Sequence, residues 1–197
     1  KAVACDISEG SVFKAEKNIR SYHYSDFIET RVGDGLSVIK KDECPDQIII
    51  AGMGGMLTID ILNNDKEIIS RAERIILQPQ RNIDKVRRAV HNLDLKIIDE
   101  KMIFETGKYY NVIVCEKGRD FAYNEKDYIF GKILLERGDE LLKSQIHFET
   151  LKIINILKSM EEKISKGKRD EAFIKRYEEL KLKRELYIQG RNVLHKE

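Results

Sequence analysis

Short apolar runs alternate with amphipathic segments from the start of the chain to about residue 118. The runs at residues 2–6, 27–32, 47–51 and 74–77 have the length of buried strands, and a segment with helical periodicity follows each of them. This alternation is typical of an α/β domain in which helices cover a largely parallel sheet. It predicts a doubly wound sheet, and such sheets bind their ligands at the carboxyl ends of the strands.

Two further apolar runs break the alternation. Residues 96–104 and 109–116 are strand-like, and the Glu-Thr-Gly-Lys segment at residues 105–108 has the composition of a hairpin turn. A dinucleotide-binding sheet is all parallel, whereas class I methyltransferases end their parallel sheet with an antiparallel hairpin. By this fold analogy, residues 1–120 are predicted to form a Rossmann-like class I methyltransferase sheet.

The strand pattern stops after the hairpin. A short helix is predicted at residues 128–137, and two long helical runs follow at 139–165 and 168–191. The apolar residues of each long run fall near one stripe, and a Ser-Lys-Gly-Lys turn separates the runs. The two helices should therefore pack as an antiparallel coiled-coil hairpin. Residues 121–197 are predicted to form this α-helical second domain.

Composition narrows the class of protein. The 197 residues are 42% hydrophobic and 36% charged, which allows a sizeable core beneath a strongly charged surface. No run reaches the roughly 18 apolar residues of a membrane span, so no membrane association is expected. The three cysteines form no C-x-x-C pair and the four histidines lack ligand spacing, which favours a cytoplasmic protein without a metal site. The net charge of +2 is too small to indicate a nucleic-acid partner.

The loops after the first two predicted strands carry candidate ligand-binding residues. Asp6, followed by Ile7, ends the first strand, where a carboxylate can accept hydrogen bonds from the ribose hydroxyls of an adenosyl group. An Asp at this place caps a helix equally often. The loop after the second strand could lie against an adenine edge or could serve only as a strand–helix connection with an N-cap. It consists of Gly33, Asp34, Gly35 and Leu36.

The most informative segment is the buried run that ends at Ala51 and continues into Gly52, Met53, Gly54 and Gly55. A tight turn needs one or two glycines, and three in four positions allow the backbone to approach a ligand closely. The next helix adds unpaired N–H groups at the same place. A ligand-binding role is therefore favoured over a purely structural turn. The segment is neither a P-loop nor a GxGxxG fingerprint.

A fourth loop follows the strand at residues 74–77. It consists of Gln78, Pro79, Gln80, Arg81 and Asn82. Its amides could hydrogen-bond an extruded base, or they could equally cap the helix that follows.

Several strings in this order carry a resemblance to a known family. They are Val-Gly-Asp-Gly-Leu at 32–36, Ile-Ala-Gly-Met-Gly-Gly at 50–55, Ile-Leu-Gln-Pro at 76–79, and Ile-Ile-Asp-Glu at 97–100 followed by Gly-Lys-x-Tyr at 107–110. Together they resemble the bacterial tRNA (adenine-22-N1)-methyltransferase family, over nearly the whole chain. The resemblance implies methyl transfer from S-adenosyl-L-methionine to N1 of adenine 22 in tRNA. We expect tRNA as the partner, no metal, and a monomer or weak dimer.

The resemblance also implies roles for individual residues. In the family, the acidic position matched by Asp6 binds the cofactor ribose, the DGL loop lies at the cofactor adenine, and the AGMGG loop lies beside the methionine portion and the target base. The cofactor-binding residues expected on this basis are Asp6, Ile7, Gly33, Asp34, Gly35, Leu36, Ala51, Gly52 and Met53. The substrate-binding residues expected are Gly54, Gly55, Gln78, Pro79, Gln80, Lys168, Arg169, Lys175 and Arg176. Gln80 stands where the family has Asn, and no residue is assigned as a catalytic base.

One part of the family pattern has no counterpart in this sequence. The family begins with a strand and a glycine- and Asp-containing loop, which would precede Lys1. In a class I sheet that strand lies between the strands predicted at 2–6 and 47–51, and without it backbone groups on both sides lack partners. We therefore expect a fragment of a longer protein that binds the cofactor poorly.

The last part of the helical hairpin is rich in basic residues. Between Lys163 and Arg191, acidic residues are about half as numerous as Lys and Arg. A solvated coiled-coil surface would explain this bias, and so would contacts with the phosphates of a structured RNA, which the resemblance favours. A non-catalytic RNA-binding module with a methyltransferase fold is the main alternative. A nicotinamide-dependent dehydrogenase lacks support because GxGxxG is absent, and a coiled-coil adaptor explains only the C-terminal third.

Overall fold

The computed structural model describes residues 1–40, 42–119, 123–167 and 170–194. Within these ranges an α/β region is followed by a helical region. The strands are β1 (Ala2–Asp6), β2 (Ile28–Val32), β3 (Gln47–Met53), β4 (Arg74–Pro79), β5 (Leu95–Glu105) and β6 (Lys108–Lys117). The helices are α1 (Glu9–Ser21), α2 (Gly55–Asn64), α3 (Lys66–Arg71), α4 (Ile83–Asn92), α5 (Lys132–Arg137), α6 (Glu140–Ser165) and α7 (Glu171–Leu194). A 3-10 turn covers Gly35–Val38 and a π-helical turn covers Asp127–Gly131.

The strands form two sheets. β1 and β2 pair in parallel, while the second sheet has the order β3-β4-β6-β5. In the second sheet β3 and β4 are parallel, and β6 runs antiparallel to both of its neighbours. The predicted parallel sheet with a terminal antiparallel hairpin is thus confirmed. No strand pairing joins β1 to β3 within the described ranges.

The β5–β6 hairpin follows from its turn sequence. Thr106 and Gly107 have φ values of 48° and 78°, so both central residues are left-handed. Such a turn matches the right-handed twist of the two strands it joins. Glu105 and Lys108, which the sequence assigned to the turn, instead form the last pair of the ladder.

The core of the α/β region lies on one face of the second sheet. Inward-facing residues of β3, β4 and β6 alternate with outward-facing ones and pack against α2, α3 and α4. Parallel strands are usually covered on both faces, and their outward positions are then buried as well. Ile49 of β3, however, is 66% exposed. The described part of the chain therefore covers only one face of β3.

The helical region packs on the hairpin end of this sheet and then extends from it. Met102 of β5 is buried with Phe130, Leu142 and Leu194 near the base of the α6–α7 pair. A separate cluster joins the two helices farther out, and it consists of Ile153, Leu157, Met160 and Leu180. The predicted helical hairpin is confirmed, whereas the domain boundary at residue 120 stays a prediction and lies outside the described residues.

Three elements differ from the predicted ones. The sequence did not predict α3. The helix predicted at 128–137 is divided into the π-helical turn and α5. The last helix begins at Glu171 rather than 168, because the carboxylate of Asp170 accepts a hydrogen bond from the Phe173 N–H at 2.9 Å, as an N-cap does.

A buried ion pair fastens the helical region to the sheet. Arg87 Nε of α4 donates to Glu100 Oε1 of β5 at 2.7 Å, and both side chains are only 1% exposed. Arg87 Nη1 also donates to the carbonyls of Tyr128 and Ile129 in the π-helical turn. Gly131 packs directly against this ion pair, since a Cβ there would lie only 2.7 Å from Glu100 Oε2. We call these residues the junction.

None of the helices in the described ranges combines the length and the apolar character that crossing a bilayer requires.

Candidate functional site

The carboxyl ends of β1, β2, β3 and β4 carry the loops that the sequence singled out. Parallel pairing places the ends of β1 and β2 side by side, and likewise those of β3 and β4. A contact joins the two pairs, because a Cβ at Gly35 would lie 3.1 Å from Ile61 of α2. Leu36 is buried in the same core as Ile61. These loops therefore form one surface, which we call the carboxyl edge.

Asp6 shapes the first loop without capping the helix. Its Oδ1 accepts a hydrogen bond from the Ser8 N–H at 2.8 Å, and Ser8 is itself the N-cap of α1. The N–H of Gly33 donates to the Asp6 carbonyl at 3.0 Å, which ties the first loop to the second. The second carboxylate oxygen of Asp6 has no hydrogen bond to any residue that the structure describes. The neighbouring Ile7 is 71% exposed.

Asp34 lies in the second loop with an exposed side chain. It occupies the N-cap position of the 3-10 turn, but its carboxylate makes no capping hydrogen bond. Gly33 has a packing role, because a Cβ there would overlap Cγ1 of Val38. The loop is thus held by its glycine and its backbone, and the carboxylate of Asp34 is available to a ligand.

The three glycines at the end of β3 and directly after it differ in whether and why the fold requires a glycine there. Gly52 has φ +76° and lies at the register shift between Ala51 and Met53, where a bulge interrupts the pairing with β4 before its last pair, Met53 and Pro79. A Cβ at Gly55 would overlap the carbonyl oxygen of Arg81, so this glycine lets the fourth loop pack on the start of α2. Gly54 has an ordinary φ of −65°, and a Cβ there would meet no atom within 4 Å. Neither strain nor packing requires a glycine at Gly54.

Hydrogen bonds tie the third and fourth loops together. The Gly52 N–H donates to Gln78 Oε1 at 2.9 Å, and the Gln80 N–H donates to the Met53 carbonyl at 2.8 Å. This contact fixes the orientation of the Gln78 carboxamide, whose Nε2 is buried without a hydrogen-bond partner in the described ranges. Pro79 is buried and Gln80 is exposed. The Gln78 side chain therefore presents an unused donor close to the glycine loop.

The basic residues predicted on the helical hairpin are only partly described. Lys175 and Arg176 are exposed on α7, and Arg176 Nη1 lies 3.4 Å from Glu179 Oε2. Lys168 and Arg169 lie outside the described residues. The residues of α7 that pack near the sheet include Tyr187, and a rise of 1.5 Å per residue puts Lys175 about 18 Å along the helix from it. Lys175 and Arg176 therefore lie on α7 well away from the part of the helix that packs on the sheet.

Sequence reasoning missed the buried pair Arg87–Glu100. Burial raises the pKa of Glu100, although the guanidinium of Arg87 acts in the opposite direction. The signal was present, because Arg87 lies between the inward-facing Val86 and Val90 of α4. A basic and an acidic residue at inward-facing positions of adjacent elements indicate a buried pair.

A parallel sheet closed by an antiparallel hairpin, with glycine-rich loops at its carboxyl edge, defines a Rossmann-like fold of the class I methyltransferase type. The model of the family described as tRNA (adenine(22)-N(1))-methyltransferase matches residues 1–181, and the chain belongs to this family.

Individual relatives agree with this assignment. The tRNA (adenine(22)-N(1))-methyltransferase of Bacillus subtilis is 40% identical over 124 residues, which are 62% of this chain and 52% of the relative. In this match the chain spans about half the length of the relative. The crystal structure of the B. subtilis m1A22 tRNA methyltransferase has a TM-score of 0.80 at 28% identity, covering 96% of this chain and 81% of that one. A Streptococcus pneumoniae protein in complex with S-adenosyl-L-methionine has a TM-score of 0.83 at 25% identity, covering 97% and 81%.

Proposed function

We propose that this chain transfers a methyl group from S-adenosyl-L-methionine to N1 of adenine 22 in tRNA, in the cytoplasm. The observation that carries the proposal is family membership over residues 1–181. The B. subtilis relative bears this activity in its name, and the S. pneumoniae structure contains S-adenosyl-L-methionine. We propose that the reaction needs no metal ion and that the chain acts as a monomer or a weak dimer.

The carboxyl edge has a chemistry that fits S-adenosyl-L-methionine. Asp6 keeps one carboxylate oxygen for a ribose hydroxyl while the other organises the turn before α1. Asp34 offers an exposed acceptor for the adenine amino group. Open space at Gly52 and Gly54 lets the backbone come close to the methionine portion. When bound, the cofactor supplies an electrophilic methyl group on a sulfonium.

The chain itself needs little acid–base chemistry for this reaction. N1 of adenine carries a neutral lone pair, so no strong base is required. The residues have to hold the extruded base, align N1 and exclude water. The buried donor of Gln78, fixed by Gly52, and the loop through Pro79 and Gln80 are the groups proposed for this task.

The basic residues of the helical hairpin are proposed to contact tRNA phosphates. Lys175 and Arg176 are exposed, and the long exposed ion pair of Arg176 with Glu179 is weak enough to yield to a phosphate. Lys168 and Arg169 precede α7 in the sequence and belong to the same proposed contact.

Transfer of a labelled methyl group tests the proposed reaction. Because the sequence predicts weak cofactor binding, the 197-residue chain is incubated with a saturating concentration of labelled S-adenosyl-L-methionine and with unmodified tRNA that has either adenine or guanine at position 22. The B. subtilis relative serves as the positive control. Label in the adenine tRNA alone supports both the reaction and the position. Label in neither tRNA, when the relative labels the first, would contradict the proposal, and tRNA binding without transfer would favour the RNA-binding module.

A further inference from the structure

Two basic side chains, one in the fourth loop and one in the helix that follows it, have no acidic partner among the residues that the structure describes. Arg81 directly follows Gln80, and Lys85 lies in the first turn of α4. Both side chains are exposed, and neither makes an ion pair with a residue that the structure describes. The next two cations of α4 are already engaged, since Arg87 pairs with Glu100 and Arg88 Nη2 lies 2.6 Å from Glu125. Two unpaired cations therefore lie at the start of α4, together with the carboxylate of Asp84 in its first turn.

The backbone holds these two cations in fixed places. The carbonyl of Arg81 packs against Gly55 at the start of α2, and the preceding N–H, that of Gln80, is bonded to Met53. The Arg81 side chain thus extends from an anchored point of the carboxyl edge. Lys85 lies on the outer face of α4, because the buried face is formed by Val86 and its neighbours.

The same cations lie close to the helical region. Tyr187 of α7 is half-buried, and its burial together with the charges of Glu149 and Asp84 raises its pKa to about 12. The Arg87 guanidinium of α4 also donates to the Tyr128 carbonyl of the π-helical turn, and Phe130 of that turn packs on Tyr187 of α7 with ring centroids 5.2 Å apart. The helix that carries Lys85 therefore connects the loop proposed to hold the target base with the base of the helical hairpin.

We propose that Arg81 and Lys85 bind phosphates of the tRNA backbone next to the adenosine that enters the carboxyl edge. This inference rests on the proposed function. A base can be extruded only if the backbone beside it is held, and phosphates are the groups that basic side chains hold there. The guanidinium of Arg81 suits bidentate phosphate binding, and Lys85 adds a point charge on the adjacent helix.

The salt dependence of tRNA binding tests this contact. Removing two phosphate contacts lowers the slope of log affinity against log salt by about 1.4 to 1.8. Between 50 and 200 mM salt, the affinity of the Arg81→Gln/Lys85→Gln variant should therefore fall about tenfold less than that of the unmodified chain. Fluorescence anisotropy with labelled tRNA measures both slopes.

A matched variant separates local contact from net charge. Lys66 and Lys117 are exposed lysines that line a cavity at the opposite, amino-terminal edge of the second sheet. Lys66→Gln/Lys117→Gln makes the same change in charge and should leave the slope unchanged. Arg81→Lys/Lys85→Arg keeps both charges and should also retain the slope. All variants should unfold at the same temperature, because the substituted side chains are exposed.

Three results would overturn the inference. If Arg81→Gln/Lys85→Gln keeps the slope of the unmodified chain, the two residues do not bind phosphate. If both Gln variants lower the slope equally, only net charge matters. In either case the proposed function stands, provided that methyl transfer is observed. An unmodified chain that does not bind tRNA would overturn the proposed function and this inference together.

Discussion

The junction and the carboxyl edge are both built from glycines and polar side chains, but they use them in opposite ways. At the junction the charges of Arg87 and Glu100 compensate each other, although Glu100 Oε2 makes no hydrogen bond in the described ranges, and Gly131 is required because Glu100 fills the space beside it. At the carboxyl edge Gly54 faces open space, and Gln78 Nε2 has no partner in the described ranges. A residue whose contacts within the chain account for its identity has a structural role. A residue whose identity no such contact explains is a candidate for ligand binding.

The largest effect is expected from breaking the ion pair of the junction. Glu100→Ala leaves the Arg87 guanidinium buried without a counter-ion, which should lower the free energy of unfolding by about 3–5 kcal/mol. Urea unfolding measures this loss. The double variant Arg87→Met/Glu100→Ala should recover a large part of it, because no buried charge remains.

The outcome that would contradict a structural junction is specific. If Glu100→Ala lowers the free energy of unfolding by less than about 1 kcal/mol, the pair behaves like an exposed one. The ion pair would then not be what fastens the helical region to the sheet.

A methyl group at Gly131 should have the next largest effect. The residue has φ +92°, and its Cβ would lie 2.7 Å from Glu100 Oε2 and 2.8 Å from Arg87 Nη2. Strain and overlap together should cost about 2–4 kcal/mol in the Gly131→Ala variant. Thermal unfolding and urea unfolding both report this change.

Gly138 provides the matched control for backbone strain. Its φ is +63°, but the atom nearest to its Cβ position is the flexible Lys143 Nζ at 4.0 Å. Gly138→Ala should therefore cost about 1 kcal/mol, from conformation alone. Equal losses for the two alanine variants would show that contact with the ion pair contributes nothing.

Local chemistry decided which elements the sequence could predict. Ser8 caps α1, and the Thr106-Gly107 pair turns the hairpin, so these boundaries follow from adjacent residues. The π-helical turn depends on Arg87, about 40 residues earlier in the chain, whose guanidinium takes up the carbonyls of Tyr128 and Ile129. The residues next to the π-helical turn in the sequence do not indicate a contact with a side chain so far away.

In the candidate site, too, some features follow from adjacent residues and others depend on contacts between residues far apart in the sequence. The glycines after β3 were recognisable as a cluster, but only the structure separates Gly55, which packs on Arg81, from Gly54, which packs on nothing. Likewise Gln78 was recognised only as part of a loop. Its bond to Gly52 depends on the pairing of β3 with β4, which determines which residues of the two strands lie side by side.

The smallest effect on stability, and a large one on activity, is expected at Gly54. Gly54→Ala places a methyl group in open space at the N-cap of α2, so the free energy of unfolding should fall by at most about 1 kcal/mol. If the backbone there lies against the cofactor or the base, the same methyl group overpacks the bound state by about 1–3 kcal/mol, or roughly 5- to 150-fold in kcat/KM. Measuring unfolding and methyl transfer on one preparation separates the two quantities. Unchanged transfer in Gly54→Ala would mean that open space at the carboxyl edge does not mark a ligand site, whereas lost transfer with retained stability would place the ligand above this glycine.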